Sequence, residues 1–169
     1  MIPSIIKDCS VKINGNDKVV GIAEFPLPDI TFKEEEINVL GLGAIKEVIV
    51  SMPEAMSTSI KFLGVDKTAL KLRAGKGINL VLAAAIQVLD ENDNATEIGL
   101  FANIKGTIKT HKLGTVGQNG KLEPEIEVNL SYFKLEIDGS ILYEIDQRNR
   151  ILIVDGEDLR AGINAIIGQ

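Results

Sequence analysis

Apolar and polar residues alternate in steps of two along most of the chain, the period of a half-buried strand. The alternation is clearest from Thr96 to Thr110. There Ile98, Leu100, Ala102, Ile104 and Ile108 point one way, and Glu97, Phe101, Asn103, Lys105 and Lys109 the other. Upstream, the apolar run from Ile78 to Leu89 reads as a hairpin partner, joined through the polar turn Asp90-Glu91-Asn92-Asp93-Asn94. A return strand of that length would reach about 50 Å at roughly 3.3 Å per residue. It would overhang a small sandwich.

Past the glycine-rich stretch 113–120, Ile126, Val128 and Leu130 share one face, and Glu125, Glu127, Asn129 and Ser131 the other. At Tyr132-Phe133 the phase slips by one residue, so that Phe133, Leu135 and Ile137 become the apolar set. Such a slip predicts a β-bulge or a strand that turns a corner. Asp138-Gly139 predicts a tight turn, with strands over 141–145 and 151–154 on either side of Asp146-Gln147-Arg148-Asn149.

Nearer the N-terminus, Val11-Lys12-Ile13 and Val19-Val20-Gly21-Ile22 flank Asn14-Gly15-Asn16-Asp17 and predict a hairpin. Pro26 and Pro28 break regularity, and 47–52 and 57–62 predict two more strands. A short helix is expected over 67–74, capped by Asp66 and stopped by Gly75, with Leu70 and Ala74 on one face. Asp155-Gly156-Glu157-Asp158 is expected to open a C-terminal helix with Leu159, Ile163, Ile166 and Ile167 on its apolar face. The sum is a single domain over 1–169, mainly β. It predicts an antiparallel β-sandwich or half-barrel with one short internal helix and a C-terminal helix.

Composition agrees with sheet. Twenty-four isoleucines and twelve valines suit a pleated surface, and five Phe, two Tyr and no Trp make the core aliphatic. The net charge of −6 argues against a protein that grips nucleic-acid phosphates, and the scarcity of rings against base stacking. Cys9 is the single cysteine, so no internal disulfide can form. The first residues lack the basic start and apolar stretch of a signal peptide, which predicts synthesis and assembly in the cytoplasm.

Candidate chemistry is thin. A Ser-His-Asp or Cys-His site needs a histidine, and the single one, His111, is expected to be a solvated surface residue at a strand end. Asp90-x-Asn92-x-Asn94 imitates a calcium loop, but Ala95 stands where glycine is required and Phe101 where a bidentate glutamate belongs. Glu125 and Glu127 have carboxylates on one strand face, without the aromatic platform of a carbohydrate hydrolase. The expectation is a protein without catalysis, cofactor or metal. A monomeric ligand-binding β-barrel is the competitor from another class, and seven aromatic residues furnish a cavity poorly.

The acidic run Lys33-Glu34-Glu35-Glu36 precedes an apolar segment, read here as a loop, in which Ile37, Val39, Leu40, Leu42 and Ile45 recur. Either this loop folds back over its own core, or neighbouring copies cover it and join their sheets into one closed barrel.

Three segments resemble the C-terminal third of the major tail tube proteins of contractile-tailed phages. They are Tyr132-Phe133-Lys134-Leu135-Glu136-Ile137-Asp138-Gly139, Leu142-Tyr143-Glu144-Ile145-Asp146 and Val154-Asp155-Gly156-Glu157-Asp158-Leu159. Val11-Lys12-Ile13-Asn14-Gly15, Val20-Gly21-Ile22-Ala23 and Leu27-Pro28 are similar to that family as well. The resemblance implies a subunit of hexameric rings, stacked into the rigid inner tube of a contractile tail and completing a β-barrel on ring formation. It implies a virion component whose tube conducts DNA without specific binding and meets the target membrane only by penetrating it. Sheath protein, baseplate initiator, tape measure and tail terminator are the partners it implies. Inner tubes of headless phage-tail-like bacteriocins and of related injection systems are the alternative.

Within that frame two surfaces stand out. Glu36, Ile37, Val39, Leu40, Leu42 and Ile45 are the expected contact with a neighbouring subunit or ring, the segment 34–45 being mobile until covered. The bore is expected to be lined by Glu125, Glu127, Asn129 and Ser131, with Glu97, Asn103, Lys105 and Lys109 as the alternative face. An acidic lining would repel DNA rather than hold it.

Overall fold

The computed structural model describes residues 2–15, 22–64 and 67–168. Eleven strands and two helices follow one another: β1 (Ile2–Ile13), β2 (Ile22–Glu24), β3 (Phe32–Val39), β4 (Gly43–Pro53), β5 (Met56–Phe62), α1 (Lys67–Leu70), β6 (Gly77–Leu89), β7 (Ala95–Lys112), β8 (Glu125–Ile137), β9 (Ser140–Asp146), β10 (Ile151–Val154), β11 (Glu157–Asp158) and α2 (Ala161–Ile167). Nine strands form one antiparallel sheet in the order β1-β6-β7-β8-β9-β10-β11, with β5 and β2 branching from β8. Among the described residues β3 and β4 pair only with each other. The architecture is mainly β, a sandwich or half-barrel that does not close.

The branch at β8 is where the predicted phase slip falls. Residues 125–130 pair with β5, and 132–137 pair with β9 along the same edge, while β7 holds the other edge throughout. The register with β7 steps from Lys105↔Tyr132 to Gly106↔Leu130, leaving Ser131 as the extra residue. This bulge lets Leu130 and Phe133, three positions apart, both face inward. Gly106 is required opposite it, because a Cβ there would run into the backbone carbonyl of Asn129.

The core lies on the inward face. Val11 and Ile13 of β1, Leu80 of β6, Ile104 and Ile108 of β7, and Ile126, Val128 and Phe133 of β8 meet Ile60 and Phe62 of β5, Ile145 of β9 and Leu152 of β10. Each such side chain contributes roughly 1.5–3 kcal/mol through its removal from water. Thr58, buried in the same layer, donates its hydroxyl to the Pro26 carbonyl at 2.6 Å and so fixes the proline segment across β5.

The long β6–β7 hairpin, its Asp90–Asn94 turn, the Asp138-Gly139 turn and the β9–β10 pair match the sequence reading. Asp138 and Gly139 take φ of 50° and 75°, the two positive values that a two-residue hairpin turn needs.

Five expectations are corrected. β1 pairs with β6 and β2 with β5, so the predicted β1–β2 hairpin does not form between the described strands; Val19, Val20 and Gly21 lie outside the described residues. The segment read as an apolar loop is instead the β3–β4 hairpin. α1 spans only four residues and buries Ala69 rather than a Leu70–Ala74 face, and the cap assigned to Asp66 lies outside the described residues. Asp155-Gly156 turns β10 into β11, so α2 starts six residues later, at Ala161. Finally, α2 buries none of its residues, and Ile166 and Ile167 are exposed.

Candidate assembly surfaces

The β3–β4 hairpin is turned by Leu40-Gly41-Leu42-Gly43, with Gly41 and Gly43 at φ of 88° and 82° and the Leu42 amide donating to the Val39 carbonyl. Directly opposed residues share a face. One face therefore carries Ile37 opposite Ile45, Val39 at Gly43, and Glu35 opposite Glu47. The other carries Glu36 opposite Lys46, and Glu34, whose carboxylate takes the Lys46 ammonium at 3.1 Å. Leu40 is fully exposed at the tip, and Leu42, Ile37, Val39, Ile45, Val48, Val50 and Met52 are also exposed. The base of the hairpin is tied down. Arg160 donates from Nη1 to the Ser51 carbonyl at 3.3 Å, and Gln147 from Nε2 to the Glu54 carbonyl at 3.2 Å.

The two alternative bore faces are one face. The register sets Lys112 against Glu125, Thr110 against Glu127, Thr107 against Asn129, Lys105 against Tyr132 and Asn103 against Lys134, all opposite the core side. Lys109, at a second register shift, borders the same hollow as Glu127 and Asn129. Ser131 sits at the bulge, and Glu97 lies at the far end, where its carboxylate holds Lys7 at 2.7 Å. Small residues interrupt the polar surface in a hollow of about 390 Å³ whose lining includes Cys9, Ala83, Ala85 and Phe101.

The acidic character of this face is largely neutralised. Lys112 reaches Glu127 at 2.9 Å and Glu125 at 3.7 Å. The Ser59 hydroxyl donates to Glu125, and that bond, helped by the charges of Lys112 and Lys61, holds its carboxyl below the usual range. The Lys112 hydrogen bond lowers Glu127 in the same way. At the centre, Lys105 stacks over the Tyr132 ring 4.9 Å from its centroid. Burial and the neighbouring Glu144 carboxylate push the Tyr132 phenol up to about 12, so it stays a donor, to Glu144 at 3.3 Å.

A third surface lies at the end of the sheet where β5 and β7 finish and β8 begins. The stretch 67–76 carries Lys67, Lys71, Arg73 and Lys76, all exposed, with no acidic residue among them. None of the four makes an ion pair with a described residue. The segment is locked onto β7: the Gly75 amide donates to the Ile108 carbonyl at 2.7 Å and the Ile108 amide to the Lys76 carbonyl at 3.0 Å. His111 is half-buried rather than solvated, its Nδ1–H donating to the Leu72 carbonyl at 2.7 Å. Exposed Leu63, Leu113 and Val116 border this end. The sequence reading took 67–74 only as helix formers; four cations in ten residues without an acid was the signal available.

Compared with known proteins, residues 3–168 match the model of the family described as phage tail tube protein FII. The chain is also similar to the tail tube protein of Escherichia phage P2, with 26% identity over 159 residues, covering 93% of this chain and 92% of that one.

Proposed function

The chain belongs to the phage tail tube protein FII family, and from that premise we propose that it assembles, as one domain over 1–169, into hexameric rings stacked as the inner tube of a contractile tail. Its role in the tail tube is structural. The observation that carries the assembly is the β3–β4 hairpin, which pairs with no other described strand yet exposes Ile37, Val39, Leu40, Leu42 and Ile45 beside Glu36. An apolar hairpin exposed on both faces is an association surface in search of a neighbour. The open order of the main sheet, in which β1 pairs with β6 alone among the described strands, supports barrel completion between subunits.

In this reading the bore is lined by the continuous polar face that includes Glu125, Glu127, Asn129, Ser131, Glu97, Asn103, Lys105 and Lys109. DNA passes along it without specific binding, and the protein neither catalyses a reaction nor carries a cofactor. The tube is a virion component, surrounded by a sheath and begun on a baseplate. The Lys112 bridge to Glu125 and Glu127 favours one second reading, the tube of a headless bacteriocin or related injection system, because a mixed-sign lining repels DNA less strongly.

The test is electron microscopy of concentrated purified protein beside its Leu40→Asp/Leu42→Asp variant. Wild type should form rings and tubes, and the variant should stay folded and dispersed, since both leucines contact little in the subunit. Wild-type tube yield from the variant would overturn the role of the hairpin. Dispersed wild-type monomers at every concentration would overturn assembly itself.

A further inference from the structure

One face of the β3–β4 hairpin is left electrostatically incomplete. Glu35 and Glu47 are directly opposed, and like charges across a strand pair destabilise it. Neither makes an ion pair with a described residue, whereas Glu34 on the other face has Lys46. Ile37, Ile45 and Val39 share the face with this acid pair and are exposed.

The complement lies elsewhere on the same molecule. Lys67, Lys71, Arg73 and Lys76 form a cationic cluster without counter-ions among the described residues, bordered by exposed Leu63, Leu113 and Val116. The hairpin enters β5 at Met56, and the cationic segment follows its other end at Phe62. Seven residues of strand set the two attachment points about 20 Å apart. No described hydrogen bond or ion pair joins the two surfaces within the subunit.

We propose that the Glu35–Glu47 face of the hairpin docks on the Lys67–Lys76 segment of a second copy, apolar residues against apolar residues and the acid pair against the cations. This rests on the tube reading and deepens it by naming the surface that receives the hairpin. Different patches at opposite ends of one strand meet head to tail, a contact that can propagate from copy to copy, as a stack of rings requires. Charge matching fixes which end meets which and suppresses the reversed contact, in which cations would face cations.

Two experiments test it. In wild-type tubes, carbodiimide cross-linking followed by mass spectrometry should join Glu35 or Glu47 to Lys67, Lys71 or Lys76 between subunits. In assembly assays, Glu47→Lys should improve the subunit by giving Glu35 an opposed cation, yet lower tube yield at least about tenfold, the scale of one interfacial charge reversal. Lys71→Glu/Arg73→Glu should lower it likewise, and combining the three changes should restore part of the loss. Tubes whose cross-links leave the cationic segment untouched would overturn the docking while leaving the tube reading intact, as would undiminished tubes from Glu47→Lys. Wild-type protein that makes no tubes would overturn the tube reading and the docking with it. Loss in both variants without restoration, and cross-links from the segment to added nucleic acid instead, would assign the cations to a nucleic-acid partner.

Discussion

Single atoms decide the bend in β8. Gly106 faces the Asn129 carbonyl so closely that even a methyl group cannot be placed without moving backbone. Gly106→Ala should therefore cost about 1–3 kcal/mol, the range for overpacking, in urea denaturation of the assembly-deficient subunit. Gly162 is the control: it lies within α2 with open space around its Cβ position, so Gly162→Ala should stabilise by about 0.5–1 kcal/mol. The carboxylates of the polar face give a second residue-scale test. Glu125 has a folded value held below 4.5, first by the Ser59 hydroxyl and then by nearby lysine charge. A depressed carboxyl supports the fold above the unfolded value, and that support is lost as pH falls through the folded one. Ser59→Ala should raise the Glu125 midpoint in a carboxyl NMR titration and narrow the acid window over which the subunit weakens.

At the scale of elements, the bulge at Ser131 couples two halves of the sheet that need opposite parity. Deleting Ser131 leaves Leu130 and Phe133 two positions apart, the spacing of a regular strand, so the set ending at Leu130 and the set beginning with Phe133 should both still face the core with the bulge gone. The deletion should therefore keep a cooperative unfolding transition by circular dichroism, whereas Phe133→Ala, which empties the core position itself, should cost about 3–5 kcal/mol. Ser131→Ala keeps the residue count, and its hydroxyl makes only a long 3.4 Å bond to the Lys105 carbonyl, so it should stay within about 0.5 kcal/mol of wild type. The bulge was legible in the sequence for the same reason it matters: burial on one side imposes a period, and a slip in the period is visible. β3 was not legible because neither of its faces is buried by the subunit, so Lys33-Glu34-Glu35-Glu36 shows no alternation to read. The partner of β2 was equally hidden, since the local turn at Asn14-Gly15 says nothing of a strand some forty residues on, such as β5. α2 misled in the opposite direction: its helical spacing groups half-buried Ile163 with Ile166 and Ile167, which the subunit leaves exposed. For the candidate surfaces, residue types were readable, but the union of the two polar faces and the opposition of Glu35 to Glu47 needed the register.

Across the whole molecule, stability is unevenly distributed, and assembly should redistribute it. The amides of β6, β7 and β8 lie in the middle of the sheet, over side chains with almost no exposure such as Leu80, Ile104 and Phe133. Their exchange with deuterium requires the subunit to unfold globally. The hairpin amides bond only across β3–β4, over side chains that are nearly all exposed, and an isolated two-stranded ribbon is marginal in water. In dispersed Leu40→Asp/Leu42→Asp subunits, hairpin amides should therefore exchange orders of magnitude faster than those of β6–β8. In wild-type tubes the docking of exposed Ile37, Val39 and Ile45 on a neighbour should bring the hairpin close to the protection of the main sheet. Hydrogen-exchange mass spectrometry on both preparations measures the two levels in one experiment. A hairpin that exchanges as fast in tubes as in subunits would mean that tubes form through other surfaces. One already protected in the dispersed subunit would mean that the hairpin needs no neighbour to complete it.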